Sequence, residues 1–68
     1  MNKEELGKSI KARRGILGIS QSDLAEIAGI SIRSLKDIET GKGNPTLEQM
    51  TKILSPLGLC ISLEISNG

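Results

Sequence analysis

Between Ser20 and Glu39 a single glycine, Gly29, separates two short runs, Ser20-Gln-Ser-Asp-Leu-Ala-Glu-Ile-Ala and Ile30-Ser-Ile-Arg-Ser-Leu-Lys-Asp-Ile-Glu. Each carries apolar residues at helical spacing: Leu24, Ile27 and Ala28 in the first, Leu35 and Ile38 in the second. Each also begins at a serine, Ser20 or Ser31, whose hydroxyl can cap a helix N-terminus. Gly29 stands where the first helix must leave through left-handed backbone. Two short helices crossing at so tight a turn bury their inner stripes in a small helical domain. The outer face of the second helix is left free.

The flanking segments extend this pattern. Glu4 and Glu5 favour a helix start, and Leu6, Ile10 and Leu17 form an inward stripe, which predicts a helix from Lys3 to Leu17 that stops at Gly18. Gly15 weakens its last turn by roughly 1 kcal/mol relative to alanine. Thr46 with Gln49 reads as a capping box for a fourth helix burying Leu47, Met50, Ile53 and Leu54, ended by Pro56 and Gly58. From Leu59 the period changes. Leu59, Ile61, Leu63 and Ile65 alternate with Cys60, Ser62, Glu64 and Ser66, a strand pattern. A lone strand leaves its backbone groups unpaired, and pairing with the same segment of a second chain about a two-fold axis satisfies them. The alternative is a disordered tail. The expected organisation is a domain over residues 1–58 and a dimerisation strand over 59–68.

Composition narrows the function. At 68 residues this is one domain, near the size where a single core is only marginally stabilising. With no Phe, Tyr or Trp, that core is built from Leu, Ile, Ala and Met. No histidine is present and Cys60 is the only cysteine, so neither a zinc site nor an internal disulfide is expected. Cys60 itself reads as a small buried hydrophobe. Without histidine, phosphate loop or paired carboxylates, the chain carries no candidate catalytic residues and no cofactor is expected. No run is long and apolar enough for a membrane span, and Met-Asn-Lys-Glu-Glu is not a signal peptide, which together predict a cytoplasmic protein without membrane partners.

The net charge is only +1, but its distribution is uneven. Lys8, Lys11, Arg13 and Arg14 cluster in the first helix, and Arg33, Lys36 and Lys42 lie in or just after the third. Such local basic faces can bind phosphates even where the total nearly cancels, although charge alone also fits an ordinary solvated mixture. The pair of helices over 20–39 has the form that inserts its second member into the major groove of DNA. With Leu35 and Ile38 inward, Arg33 points directly away from the core, Lys36 and Asp37 flank it, and Ile32 lies at the N-terminal shoulder. Arg33 can donate two bonds to guanine, Asp37 can accept from cytosine or steady Arg33, and Ile32 can pack on a thymine methyl. The plain alternative is a surface Arg33–Asp37 pair at i,i+4.

The run Ile10-Lys-Ala-Arg-Arg-Gly-Ile-Leu-Gly-Ile-Ser-Gln-Ser-Asp-Leu-Ala, followed by Ala28-Gly-Ile-Ser, Ile38-Glu-Thr-Gly-Lys and Asn44-Pro-Thr-Leu, resembles the lambda-repressor-like, or Xre-type, helix-turn-helix family over about residues 6–58. The resemblance implies a mainly α fold: a four-helix lambda-repressor-like domain, here with a C-terminal β-strand that pairs across a dimer. It implies that Gln21 binds a backbone phosphate and braces the recognition helix, with Ser20 adding a phosphate contact. It matches Arg14 and Glu39 to an internal ion pair, and Ile32, Arg33, Lys36 and Asp37 to base-reading positions. Thr40, Gly41, Lys42 and Asn44 match the loop that follows the second strand of phosphates. Two departures stand out: the family's frequent fifth helix is replaced by Pro56 and an alternating segment, and glutamine is absent from the reading positions. The ending Leu57-Gly-Leu-Cys-Ile-Ser-Leu is similar to HipB-type antitoxins, whose C-terminal strands pair across the dimer and which partner a HipA-type kinase toxin. The dimer interface would then be Leu59, Ile61, Leu63 and Ile65. A stand-alone regulator, a prophage repressor and a restriction controller protein are the other readings within this class. The expected partners are double-stranded DNA bearing an inverted-repeat operator, a second copy of the chain and a HipA-type toxin. The competing class is a dimeric protein-interaction module on the same fold that does not bind DNA; an enzyme fits poorly.

Overall fold

Short polar side chains start every helix. In the computed structural model, which describes residues 2–62, four α-helices follow one another: α1 (Lys3–Leu17), α2 (Gln21–Ala28), α3 (Ile32–Glu39) and α4 (Leu47–Leu54), with a 3-10 turn at Ser55–Leu57. Ser20 Oγ accepts from the Asp23 N–H and Ser31 Oγ from the Ser34 N–H, each at 3.0 Å. Thr46 and Gln49 exchange reciprocal bonds of 3.1 and 2.9 Å, completing the capping box. Asn2, which the sequence reading did not single out, caps α1 by accepting from the Glu5 N–H at 2.8 Å. α1 and α2 end at Gly18 and Gly29 with φ of 68° and 70°, backbone that side-chain-bearing residues rarely adopt.

The core is entirely aliphatic: Ile10 from α1, Leu24, Ala25 and Ala28 from α2, Leu35 and Ile38 from α3, Met50, Ile53 and Leu54 from α4, and Leu57. α3 lies between α1 and α2, and α2 also packs on α4. At the α1–α3 crossing Gly7 is buried, and a Cβ there would sit 2.5 Å from the Glu39 carbonyl oxygen and 2.6 Å from that of Ile38. The absence of a side chain lets the two backbones touch. Arg13 seals the far end of α1 by donating through Nε to the Leu57 carbonyl at 2.9 Å.

Three expected core residues lie outside. Leu17, in the last turn of α1, is 43% exposed; Ile27, at the edge of the α2 stripe, is 60% exposed; and Leu47, in the first turn of α4, is 71% exposed. Helical periodicity marks a face but not how far neighbouring elements reach along it, and Ala25 takes the buried position on α2 instead. Cys60 is likewise exposed rather than buried, because Leu59 turns against the core and leaves its neighbour outside. The Leu59 N–H donates to the Leu54 carbonyl at 3.0 Å, extending the capped end of α4. No strand occurs among the described residues, and the second half of the alternating segment, including Leu63 and Ile65, lies outside them. No described helix is long and apolar enough to cross a membrane.

Candidate nucleic-acid interface

One buried carboxylate ties the three N-terminal helices together. Glu39, at the end of α3, is 6% exposed. Arg14 of α1 grips it with both arms, Nε to Oε2 at 2.9 Å and Nη2 to Oε1 at 3.1 Å, and donates through Nη1 to the Ile19 carbonyl at 3.0 Å. Gln21, the first residue of α2, donates to Glu39 Oε1 at 3.1 Å. Two parallel guanidinium bonds fix direction as well as distance. The orientation of α3 is therefore set by α1 and α2 before anything binds to it.

On the outward side of α3, Arg33 and Lys36 are exposed and Ile32 is 42% exposed. The ion pairs among the described residues are Arg14–Glu39 and an exposed Lys52–Glu48 pair, so the Arg33–Asp37 bridge is not formed. Asp37 is half-buried. It lines a polar hollow of about 230 Å³ with Ser34, Gly43 and Asn44. The outward face of α3 is thus more positive than the residue spacing implied, with the acid set to one side. Of the basic residues grouped in α1, Arg13 and Arg14 are turned onto internal acceptors and only Lys8 and Lys11 remain exposed.

After α3 the chain folds back on the helix end. The N–H groups of Thr40, Gly41 and Lys42 donate to the carbonyls of Lys36, Asp37 and Ile38, and the Thr40 hydroxyl donates to Lys36 and Asp37 at 3.0 Å. Thr40 and Gly41 therefore shape the loop. Lys42 and Asn44, which follow in the loop, are both exposed and carry an ammonium and an amide as donors. Lys3, at the start of α1, reaches this loop and donates to the Gly43 carbonyl at 2.9 Å and to Asn44 Oδ1 at 2.6 Å. No local signal announces that contact, which joins residues forty positions apart. At the start of α2, Ser20 uses its oxygen for capping and keeps its hydroxyl proton, beside the unpaired first N–H groups of the helix.

A capped helix pair, its second member locked from behind and bare in front, defines a helix-turn-helix domain. The family model for Helix-turn-helix matches residues 10–62, and the chain belongs to that family, of the Xre or lambda-repressor-like kind. Among curated proteins it is 39% identical over 56 residues to an uncharacterized HTH-type transcriptional regulator of Haemophilus influenzae, covering 82% of this chain and 57% of that protein. It is 37% identical over 59 residues to the cryptic phage CTXphi transcriptional repressor RstR of Vibrio cholerae, covering 87% of this chain and 49% of that protein. The chain spans about half the length of these relatives.

Proposed function

We propose that the chain is a sequence-specific double-stranded DNA-binding transcriptional regulator, acting as a dimeric repressor in the cytoplasm. The observation that carries this reading is the state of α3: its inner side is clamped through Glu39, while Arg33 and Lys36 are exposed with no side-chain partner among the described residues. In this reading α3 enters the major groove, where Arg33 reads guanine and Ile32, Lys36 and Asp37 complete the base contacts. Ser20 and Gln21 take one phosphate at the α2 N-terminus, where backbone N–H groups and the helix dipole favour an anion. Lys42 and Asn44 take a phosphate on the other side, on the loop shaped by Thr40 and Gly41. Repression accords with the printed name of the Vibrio relative.

Dimerisation is assigned to residues 59–66. It is supported by an apolar groove of about 450 Å³ between α4 and the chain after Gly58, lined by Leu47, Leu54, Leu59 and Ile61 among others. Leu47 and Ile61, at 71% and 50% exposure, leave apolar surface there that a second copy would cover. A two-fold dimer requires recognition helices about 34–36 Å apart, or a multiple, and hence an inverted-repeat operator. The narrower reading, autorepressing antitoxin of a HipA-type kinase, rests on residues 57–63; co-purification with such a kinase encoded beside this chain tests it. Selection of binding sites from random duplex DNA tests the regulator reading itself. Absence of any duplex binding would favour the protein-interaction module.

A further inference from the structure

We infer that Lys3 is a positioning residue for DNA, orienting the Asn44 amide toward the phosphate backbone; the inference rests on the DNA-binding reading above. An ammonium has only protons to offer, so the Asn44 atom 2.6 Å from Lys3 Nζ must be the carbonyl oxygen. With Oδ1 held on the α1 side, the amide group and its two donors are directed away from it. A free asparagine side chain presents oxygen and nitrogen with similar ease, and the oxygen would repel a phosphate. Lys3 removes that ambiguity with a charge-assisted bond. Its second bond, 2.9 Å to the Gly43 carbonyl, anchors the ammonium to the loop backbone rather than to the side chain alone.

The first two turns of α1 form the seat for this loop. Glu4 lies against Gly41, where an added Cβ would come within 3.0 Å of the Glu4 side chain, and Gly7 lets the α3 backbone settle on the helix. The loop that carries Lys42 and Asn44 is therefore held by α1, and of these contacts it is that of Lys3 that reaches a side chain with hydrogen-bond donors of its own.

The test compares Lys3→Met, Lys3→Arg, Asn44→Ala and the double variant Lys3→Met/Asn44→Ala in duplex binding over a range of salt, with thermal melting alongside. If Lys3 acts through Asn44, Lys3→Met and Asn44→Ala each weaken binding about fivefold, the equivalent of one hydrogen bond. The double variant is then no weaker than either, and Lys3→Arg restores most of the loss. The salt dependence of Lys3→Met stays that of the parent, and its melting temperature falls only slightly, because both bonds it loses are at the exposed surface. Additive losses, with a salt slope lower by about one, would make Lys3 an independent phosphate contact and overturn the positioning role. Unchanged binding by Lys3→Met, with the parent still bound, would overturn it as well. Failure of the parent itself to bind any duplex would overturn the DNA reading, and this role with it.

Discussion

Gly7 and Gly15 sit in the same helix and meet opposite demands. A Cβ at Gly7 collides with the Ile38 and Glu39 carbonyls, whereas one at Gly15 meets nothing within 4 Å. Gly7→Ala should therefore force α1 and α3 apart and cost about 1–3 kcal/mol, while Gly15→Ala should stabilise by about 0.5–1 kcal/mol through helix propensity. Thermal melting of the two variants should move in opposite directions, and a shared direction would contradict the packing described at the crossing. Arg14 makes a comparable test. Arg14→Ala leaves Glu39 buried with Gln21 as its remaining side-chain partner, and should cost about 3 kcal/mol. In a domain this small that corresponds to a fall in melting temperature on the order of 10–25 °C. Unchanged melting with weakened DNA binding would instead make Arg14 a DNA contact.

At the scale of the element, what was readable from sequence is what is local. An N-cap bond spans three residues, so Ser20, Ser31 and Thr46 announce their helices, and Gly18 and Gly29 announce the ends. The outward direction of Arg33 follows from Leu35 and Ile38, two and five residues on, which lie on the opposite side of the helix. Contacts made across the chain leave no such trace. Arg13 meets the Leu57 carbonyl 44 positions on, and Lys3 meets Asn44 at a separation of 41. Leu47 follows the periodicity of α4 yet lies open, because no described element covers the first turn of that helix. In the proposed DNA complex the elements divide the labour of binding, and their variants should differ accordingly. Arg33→Ala on α3 should cost roughly 1–3 kcal/mol on the preferred site and relax discrimination at one base pair. Lys42→Ala on the loop should weaken all sequences evenly and lower the salt slope by about one. Equal, sequence-independent losses measured for both would reduce Arg33 to another phosphate contact.

For the whole molecule, the proposed assembly turns on the segment after Gly58. Ending the chain there also removes Leu59, which packs against the core of its own chain and bonds to Leu54, so truncation alone would destabilise a monomer. Leu63→Lys is the cleaner variant. If residues 59–66 pair across a two-fold axis, it puts a charge into a seam where each fully buried side chain contributes about 1.5–3 kcal/mol. Sedimentation should then find a dimer for the parent and a monomer for Leu63→Lys, with operator binding much weakened. A Leu63→Lys protein that remains dimeric would place the interface elsewhere.

Whether α3 reads base sequence in the major groove is decided by selecting sites from a random duplex library with the parent chain and with Arg33→Ala. The parent should enrich an inverted repeat whose half-sites are centred one helical turn, about 34–36 Å, or a multiple apart. Arg33→Ala should enrich the same repeat with one position in each half-site no longer discriminated. An identical motif from both proteins, or no enrichment by the parent, would contradict base reading by α3.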